Sequence, residues 1–285
     1  MQTFDFRGLP IRYAKEGTGA PVVFLHNGGT SHVIWCDVIP RLSAKYQCLA
    51  LDLLGFGASA KPESGYGLAD YEAMLAHFVD REVRGPVALV GNCMGSAIAL
   101  RFAMRRPKAV QALVLINPLT EATFLAGGLG AMLWMKKRAP GVLQPLRRSL
   151  SRLRLPRFIA EQSLRFQLGR EGRARKLQSN EDLCACGTSE SHLPSLLRVF
   201  DDLESYASLD AWVRGEGFPY TCTIWGLENR VLSAEAGRQL NRTLRPDREE
   251  WLEGCGHLPM LERPEVVAGV IEEVLDLGSA PATRS

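Results

Sequence analysis

Val90-Gly91-Asn92-Cys93-Met94-Gly95-Ser96-Ala97-Ile98-Ala99 is the stretch that decides the fold of this chain. It predicts the end of a strand, a sharp turn between two glycines, and the start of a helix. Residues 86–90 are a short apolar run typical of a buried parallel strand, and residues 96–104 are small and apolar enough to pack as a helix on a sheet. The side chain presented at the turn is the thiol of Cys93.

Composition indicates an ordinary globular chain. Its 285 residues are 46% hydrophobic and 23% charged, which predicts one domain with an ample core and excludes fibrous and disordered classes. The first residues lack the pattern of a signal peptide and no apolar run approaches a membrane span, so we expect a cytoplasmic protein without integral membrane association. Seven cysteines without framework spacing indicate free thiols, and a net charge of +3 gives no reason to expect a nucleic-acid partner.

Strands and helices alternate along most of the chain. Apolar runs predict strands near 2–7, 10–15, 21–25, 47–52, 86–90, 110–116, 220–225 and 249–252, and helices are expected near 34–45, 69–82, 94–105, 234–243 and 265–276. This alternation predicts an α/β fold with a mostly parallel sheet between two layers of helices. We expect residues 1–120 and 216–277 to form the core, 121–215 to be an inserted helical cap over the carboxyl edge of the sheet, and 278–285 to be a flexible tail.

Four motifs occur in a fixed order: His26-Asn27-Gly28-Gly29, the run 52–59 (DLLGFGAS), the Cys93 turn, and the run 254–265 (GCGHLPMLERPE). Together they resemble the α/β-hydrolase superfamily, with residues 121–215 in the place of its variable lid. The resemblance implies that Cys93 is the nucleophile and His257 the base. It also implies that the backbone N–H of Met94 supplies one oxyanion donor.

The position of the second oxyanion donor departs from the family pattern. The resemblance places it at Gly28, where the preceding pair reads His26-Asn27. Either the backbone N–H of Gly28 or the side chain of Asn27 would face the oxyanion.

The third member of the catalytic triad also departs from the pattern. Relatives carry an aspartate where this chain has Asn229. A serine nucleophile would lose about 10⁴ in turnover from that change. A thiol ionises more easily and can be held as a thiolate at a helix N-terminus beside an imidazolium, so the third residue need only orient the ring. Glu228 and Glu121 are the alternative carboxylates.

These residues predict an enzyme that forms an acyl-thioester on Cys93 and passes the acyl group to water or another acceptor. The expected substrate is an ester or thioester of a hydrophobic acyl group, and no metal or organic cofactor is required. A small-molecule carboxylesterase or lactonase is one alternative. A ligand-binding receptor on the same fold, without enzymatic activity, is the other.

Basic residues between 147 and 176 suggest a partner. The run is either a solvated helix face or a dock for a coenzyme A phosphate, an acyl carrier protein or anionic lipid headgroups. It comprises Arg147, Arg148, Arg152, Arg154, Arg157, Arg165, Arg170, Arg173, Arg175 and Lys176, against Glu161 and Glu171.

Other conspicuous residues receive plainer interpretations. Asp52 is expected to tie a loop, the thiols of Cys184 and Cys186 are too few to indicate a metal site, and no role is assigned to His32 or His192. Aromatic and aliphatic residues of the cap are expected either to line a substrate pocket or to pack in the core, namely Phe124, Leu129, Trp134, Phe158, Phe166 and Phe200.

Overall fold

The computed structural model describes residues 1–138 and 153–279 and contains an eight-stranded sheet. The strand order is β1-β2-β4-β3-β5-β6-β7-β8; β2 is antiparallel to β1 and β4, and the remaining neighbours are parallel. The predicted α/β fold with its mostly parallel sheet is confirmed. The strands are β1 (Gln2–Phe6), β2 (Leu9–Glu16), β3 (Ala20–Leu25), β4 (Tyr46–Leu51), β5 (Val87–Asn92), β6 (Val110–Ile116), β7 (Tyr220–Gly226) and β8 (Arg248–Leu252).

Helices cover both faces of the sheet. The helices of the described residues, numbered in chain order, are α1 (Ile39–Leu42), α2 (Leu68–Glu82), α3 (Met94–Arg105), α4 (Glu121–Leu125), α5 (Gly130–Arg138), α6 (Arg157–Gln167), α7 (Arg170–Ala174), α8 (Glu181–Thr188), α9 (His192–Asp201), α10 (Ala207–Asp210), α11 (Ala234–Leu244), α12 (Pro259–Glu262) and α13 (Pro264–Ser279). Short 3₁₀ helices lie at His32–Trp35, Pro107–Ala109, Leu177–Ser179 and Leu203–Tyr206.

The strands build two cores because successive side chains point to opposite faces. On β3, Val23 and Leu25 join the core beneath α2 and α3, whereas Val22 and Phe24 join the core beneath α13. All four side chains are fully buried. The central strands therefore read as continuous apolar runs rather than as an alternating pattern.

The predicted helix over 34–45 is wrong in extent. Only a 3₁₀ turn at His32–Trp35 and the four-residue α1 form there. Pro40 lies in the first turn of α1, where its missing N–H is tolerated. A longer helix would place that proline in its interior, where it would remove a hydrogen bond and clash with the preceding turn.

Between β6 and β7 the described residues form helices and no strand. We call residues 121–215 the cap segment; its described parts are 121–138 and 153–215. Side chains of this segment lie over the carboxyl ends of the parallel strands, beside the turn that follows β5. At the other end of the chain, α13 runs to Ser279, and residues 280–285 of the expected tail lie outside the described residues.

Candidate active site

Cys93 occupies a strained turn between β5 and α3. Its φ of +54° and ψ of −112° lie in a region that costs a non-glycine residue about 1–3 kcal/mol. The surroundings fix this conformation, because the Cys93 N–H donates to the Ile116 carbonyl at 2.9 Å. The Cys93 carbonyl in turn accepts from the N–H groups of Ala97 and Leu119, at 3.1 and 3.2 Å.

The two glycines of the turn are required by close backbone contacts. A Cβ on Gly91 would lie 2.4 Å from the carbonyl carbon of Gly95, and a Cβ on Gly95 would lie 2.1 Å from the carbonyl oxygen of Leu25. The helix therefore begins directly against the sheet, with its first residues packed on β3. This close packing presents the Cys93 side chain at the carboxyl edge of the sheet.

Two backbone N–H groups face the Cys93 sulfur. Those of Gly28 and Met94 hydrogen-bond to it and lower its pKa, but burial has the larger effect and raises the pKa to about 12. The thiol is therefore neutral at rest. Burial thus opposes the thiolate that a helix N-terminus can stabilise, because desolvation outweighs both N–H bonds.

The side chain of Asn27 is held within its own loop. Its Oδ1 accepts from the Thr30 hydroxyl at 2.7 Å, and its Nδ2 donates to the Gly28 carbonyl at 3.2 Å. The backbone N–H of Gly28 is thus the group that faces the sulfur. Of the two candidate oxyanion donors in this loop, the backbone group has the suitable direction.

His257 follows β8 and is buried with Asn229 as its side-chain partner. Nδ1 of His257 lies 3.2 Å from Oδ1 of Asn229. The same oxygen accepts the backbone N–H groups of Val231 at 3.0 Å and Leu232 at 3.1 Å, which fixes it as an acceptor. Nδ1 therefore carries the proton and Nε2 keeps its lone pair.

Burial also keeps the His257 ring neutral, since it lowers the pKa to about 3. No carboxylate of the described residues contributes to that pKa. The resting site thus combines a neutral thiol with a neutral imidazole whose free nitrogen can accept a proton.

The two alternative carboxylates have other partners. Glu228 accepts the backbone N–H of Arg170 at 2.8 Å and forms an ion pair with Arg173 at 3.2 Å. Glu121 forms an ion pair with Lys137. Asn229 is the candidate that contacts His257.

Asn117 links the ends of the strands that form the site, although its sequence context does not single it out. It follows β6 with a left-handed φ of +43°. Its Oδ1 accepts the Gly226 N–H at 3.0 Å, and its Nδ2 donates to the carbonyls of Gly256 and His257 at 3.4 and 3.3 Å. This amide therefore holds the backbone of the His257 loop against the ends of β6 and β7.

Glu262 is a second positioning residue that the sequence does not reveal. Its buried carboxylate accepts four backbone N–H groups: those of Gly169 and Gly172 at 2.9 and 3.3 Å, and those of Gly256 and Leu258 at 2.9 and 3.3 Å. Burial nevertheless raises its pKa. One side chain thus ties the cap segment to the loop that carries His257.

A cavity of about 300 Å³ opens beside Cys93 and His257, and its walls are mostly apolar. The cap supplies Phe124, Leu129, Phe166 and Phe200 to the lining, whereas Trp134 and Phe158 are exposed. Among the described residues that line it, none is lysine or arginine. The lining comprises Asn27, Gly28, Gly29, Cys93, Met94, Leu119, Phe124, Leu129, Met132, Ser163, Phe166, Gln167, His192, Leu193, Leu196, Leu197, Val199, Phe200, Leu203, Val231 and His257.

His192, to which sequence reasoning assigns no role, contacts the oxyanion loop from the cap. A Cβ on Gly29 would lie 3.0 Å from Cε1 of its ring. Burial lowers the His192 pKa, and contacts with the backbone of Gly29 and Cys186 oppose that shift. The first turn of α9 therefore packs directly on the loop that carries Gly28.

Asp52 ties the loops next to the site. Its Oδ1 accepts from the backbone N–H and Nδ1 of His32 at 2.9 and 2.8 Å, and its Oδ2 accepts the Ala58 N–H at 2.8 Å. The hydroxyl of Ser59 donates to the Asp52 carbonyl at 2.6 Å. These bonds agree with the structural interpretation of the run 52–59.

Most described arginines of the basic run have acidic partners. Arg147, Arg148 and Arg152 lie outside the described residues. The ion pairs of the others are Arg154 with Glu190 at 3.4 Å, Arg157 with Glu161 at 3.0 Å, Arg170 and Arg173 with Glu228 at 3.7 and 3.2 Å, and Arg175 with Asp37 at 4.0 Å.

Residues 1–138 and 153–279 contain no group of three or more His, Cys, Asp or Glu side chains placed to hold a metal ion. No helix in these ranges is both long enough and apolar enough to cross a membrane.

Comparison with known proteins places the chain in a family. The model of the alpha/beta hydrolase family matches residues 22–270. The chain belongs to the alpha/beta hydrolase family. It is 27% identical over 269 residues to a 2-hydroxy-6-oxo-2,4-heptadienoate hydrolase of Pseudomonas putida, covering 90% of this chain and 89% of that protein.

Solved structures of other proteins share the fold of this alpha/beta hydrolase. A bacterial membrane phospholipase A superposes with a TM-score of 0.79 at 24% identity, covering 98% of this chain and 86% of that one. A meta-cleavage product hydrolase from Pseudomonas fluorescens IP01 superposes with a TM-score of 0.77 at 18% identity, covering 98% of both chains. At these identities the likeness extends to the fold alone.

Proposed function

We propose that this alpha/beta hydrolase forms an acyl-thioester on Cys93 from an ester or thioester of an uncharged, hydrophobic acyl group. The observation that carries the proposal is the position of the Cys93 sulfur. It stands on a strained turn, faces two backbone N–H groups, and borders the same apolar cavity as His257.

The reaction begins from the neutral pair. As the sulfur attacks the substrate carbonyl carbon, the thiol proton passes to Nε2 of His257, while the N–H groups of Gly28 and Met94 stabilise the developing oxyanion. The imidazolium then gives that proton to the leaving group. Water or another acceptor attacks the acyl-thioester in the second half, with His257 again taking the proton.

An amide serves as third member because a thiol makes a smaller demand on the base. Asn229 holds the Nδ1–H tautomer through its fixed oxygen, which keeps Nε2 available as a proton acceptor. It adds no full negative charge to stabilise the imidazolium. A thiol loses its proton several pKa units more easily than an alcohol, so orientation can replace that charge.

The cavity lining supports an uncharged acyl group. The heptadienoate hydrolase acts, by its name, on a carboxylate. The described lining of the present cavity contains no lysine or arginine to pair with one. We therefore favour a small or medium hydrophobic acyl group, since about 300 Å³ is at the lower end of ligand-pocket volumes.

Delivery of that group by coenzyme A or an acyl carrier protein remains a prediction for the basic run. Attraction between exposed charges is screened over about 8–10 Å near physiological salt. With a carrier-linked substrate, kcat/KM should fall steeply as salt rises, whereas a small uncharged thioester of the same acyl group should show no such fall. Salt-independent kinetics on the carrier substrate would contradict carrier docking.

Turnover of matched acyl esters and thioesters tests the nucleophile. We expect Cys93→Ala to lower kcat by at least about a thousandfold, because the proposed acyl-enzyme forms on the Cys93 sulfur. Cys222→Ala is the matched control, since Cys222 is also buried, on β7, but does not line the cavity. Activity retained by Cys93→Ala would refute the assignment and favour a different nucleophile or a non-enzymatic receptor.

A further inference from the structure

Exposed apolar side chains are concentrated in one part of the cap segment. Among the described residues, twelve large hydrophobic side chains are exposed, and eight of them lie between residues 125 and 159. Of these eight, Trp134 and Phe158 are the most exposed, at 58% and 62%. A group of large exposed apolar side chains in one segment indicates an interaction site. We call these eight the apolar rim: Leu125, Leu129, Met132, Trp134, Met135, Leu153, Phe158 and Ile159.

The apolar rim borders the mouth of the catalytic cavity. Leu129 and Met132 are exposed and also line the cavity, so the rim and the cavity wall are continuous. On the other side, α6 contributes Phe166 to the cavity and Phe158 to the rim. The chain before α5 and helix α6 come close at Gly128, where a Cβ would lie 2.8 Å from Cζ of Phe166.

The same part of the sequence is strongly basic. Although the whole chain has a net charge of only +3, the described residues between 125 and 165 include six lysines and arginines and a single acidic residue, Glu161. Four of the six form ion pairs, with Glu204, Glu121, Glu190 and Glu161. Arg138 ends α5 beside the rim, and Arg157 begins α6 next to Phe158. The six are Lys136, Lys137, Arg138, Arg154, Arg157 and Arg165.

We propose that the apolar rim docks on an anionic lipid surface, with the cavity mouth turned toward the acyl chains. Exposed aromatic and aliphatic side chains among lysines and arginines are the combination that binds a lipid interface, where apolar groups enter the acyl boundary and cations meet the headgroups. A tryptophan is well suited to that boundary. The attachment is peripheral, because no described helix can span a membrane.

An acidic protein partner fits less well. It would use the basic residues, but it gives no reason for the exposed apolar side chains to surround the opening of an apolar cavity. A lipid surface uses both features at once. The proposal goes beyond the acyl transfer at Cys93 and depends on it only for what the cavity then does with an acyl group.

Vesicle binding tests the proposal. The full chain should bind phosphatidylcholine vesicles that contain roughly one-third phosphatidylglycerol far more tightly than pure phosphatidylcholine vesicles, and added salt should weaken binding. Trp134→Ser and Phe158→Ser should each weaken it about tenfold through lost apolar burial. Val213→Ser is the matched control. Val213 is 58% exposed, like Trp134, but is not part of the rim. It precedes Arg214, which forms an ion pair with Asp247 beside the amino end of β8.

Quenching of tryptophan fluorescence by brominated lipids gives the depth of insertion. Quenching should occur in the wild type and largely disappear in Trp134→Phe, although that variant still binds. No preference for anionic vesicles, or equal losses for Val213→Ser and Trp134→Ser, would overturn the proposal. A third result would also overturn it: no vesicle binding, together with saturable binding of an acidic acyl carrier protein that the rim substitutions abolish. Cys93→Ala should bind vesicles normally, so the docking proposal and the nucleophile assignment can fail separately.

Discussion

Asn229→Asp restores the carboxylate of a serine-type triad and should change the pH dependence of the enzyme. Burial holds the His257 pKa at about 3, so the wild-type base is deprotonated throughout the range from about pH 5 to 8. We expect no acid limb in kcat/KM over that range. A carboxylate in place of the amide would lie about 3.2 Å from Nδ1 and would stabilise the imidazolium.

The size of the shift follows from this distance and from the burial. An opposite charge this close raises a histidine pKa by about 1–3 units, which corresponds to about 1.4–4 kcal/mol. The His257 pKa should rise from about 3 to about 4–6, and the acid limb should enter the measurable range. Nδ2 of Asn229 is buried with no hydrogen-bond partner among the described residues. The second aspartate oxygen would thus lack a donor, at a cost of about 1–3 kcal/mol in stability.

The assay is kcat/KM against pH with an acyl thioester that does not itself ionise, and circular dichroism checks that each variant stays folded. Glu228→Gln is the matched control, because the neighbouring carboxylate is held by Arg170 and Arg173 and should leave the profile unchanged. A wild-type acid limb near about pH 6.5, the usual histidine value, would refute the reasoning. An equal shift in Glu228→Gln would also refute it.

Three other changes test the positioning and packing of the site. Asn229→Ala should lower kcat about a hundredfold with little change in KM, because its loss frees the ring and leaves the buried Nδ1–H unpaired; an equal rise in KM would indicate a binding role instead. Gly95→Ala should lower the free energy of unfolding, measured by urea denaturation, by more than about 3 kcal/mol, since the added Cβ would meet backbone atoms. Gly269→Ala should be neutral or slightly stabilising, because a Cβ there meets open space. Equal effects of the two substitutions would contradict the packing argument. Acid should destabilise the fold, because burial lowers the pKa of His26 to about 4 and that of His257 to about 3, while the unfolded chain binds protons at about 6.5. Each histidine should then cost up to about 1.4 kcal/mol per unit as pH falls below about 6.5, and a flat urea midpoint down to about pH 5 would contradict the neutral assignments.

The sheet could be predicted because buried parallel strands are continuous apolar runs bounded by turns. The runs near 21–25 and 86–90 correspond to β3 and β5 within one or two residues. The helix expected over 34–45 could not be placed correctly from composition. There the local effect of Pro40 and the packing of Trp35 beside Phe24 favour two short turns.

The two residues that the proposal assigns to the reaction could be singled out from sequence because their motifs are local and occur in a fixed order. Cys93 and His257 stand within short recognisable runs. The tie of Glu262 to the cap segment and the role of Asn117 could not be recognised, because they depend on contacts between residues 93 and 109 positions apart. The charge state of Cys93 was also beyond the sequence, since its pKa depends on how deeply the completed fold buries the sulfur.

The central claim is that Cys93 carries the acyl group, and peptide mapping by mass spectrometry tests it most directly. The protein is mixed with a hydrophobic acyl thioester, quenched in acid within the first turnover, and digested. The account predicts an added acyl mass on the peptide that contains Cys93, absent from Cys93→Ala and still present in Cys222→Ala. An acyl group on any other residue, or turnover of the thioester by Cys93→Ala at the wild-type rate, would contradict it.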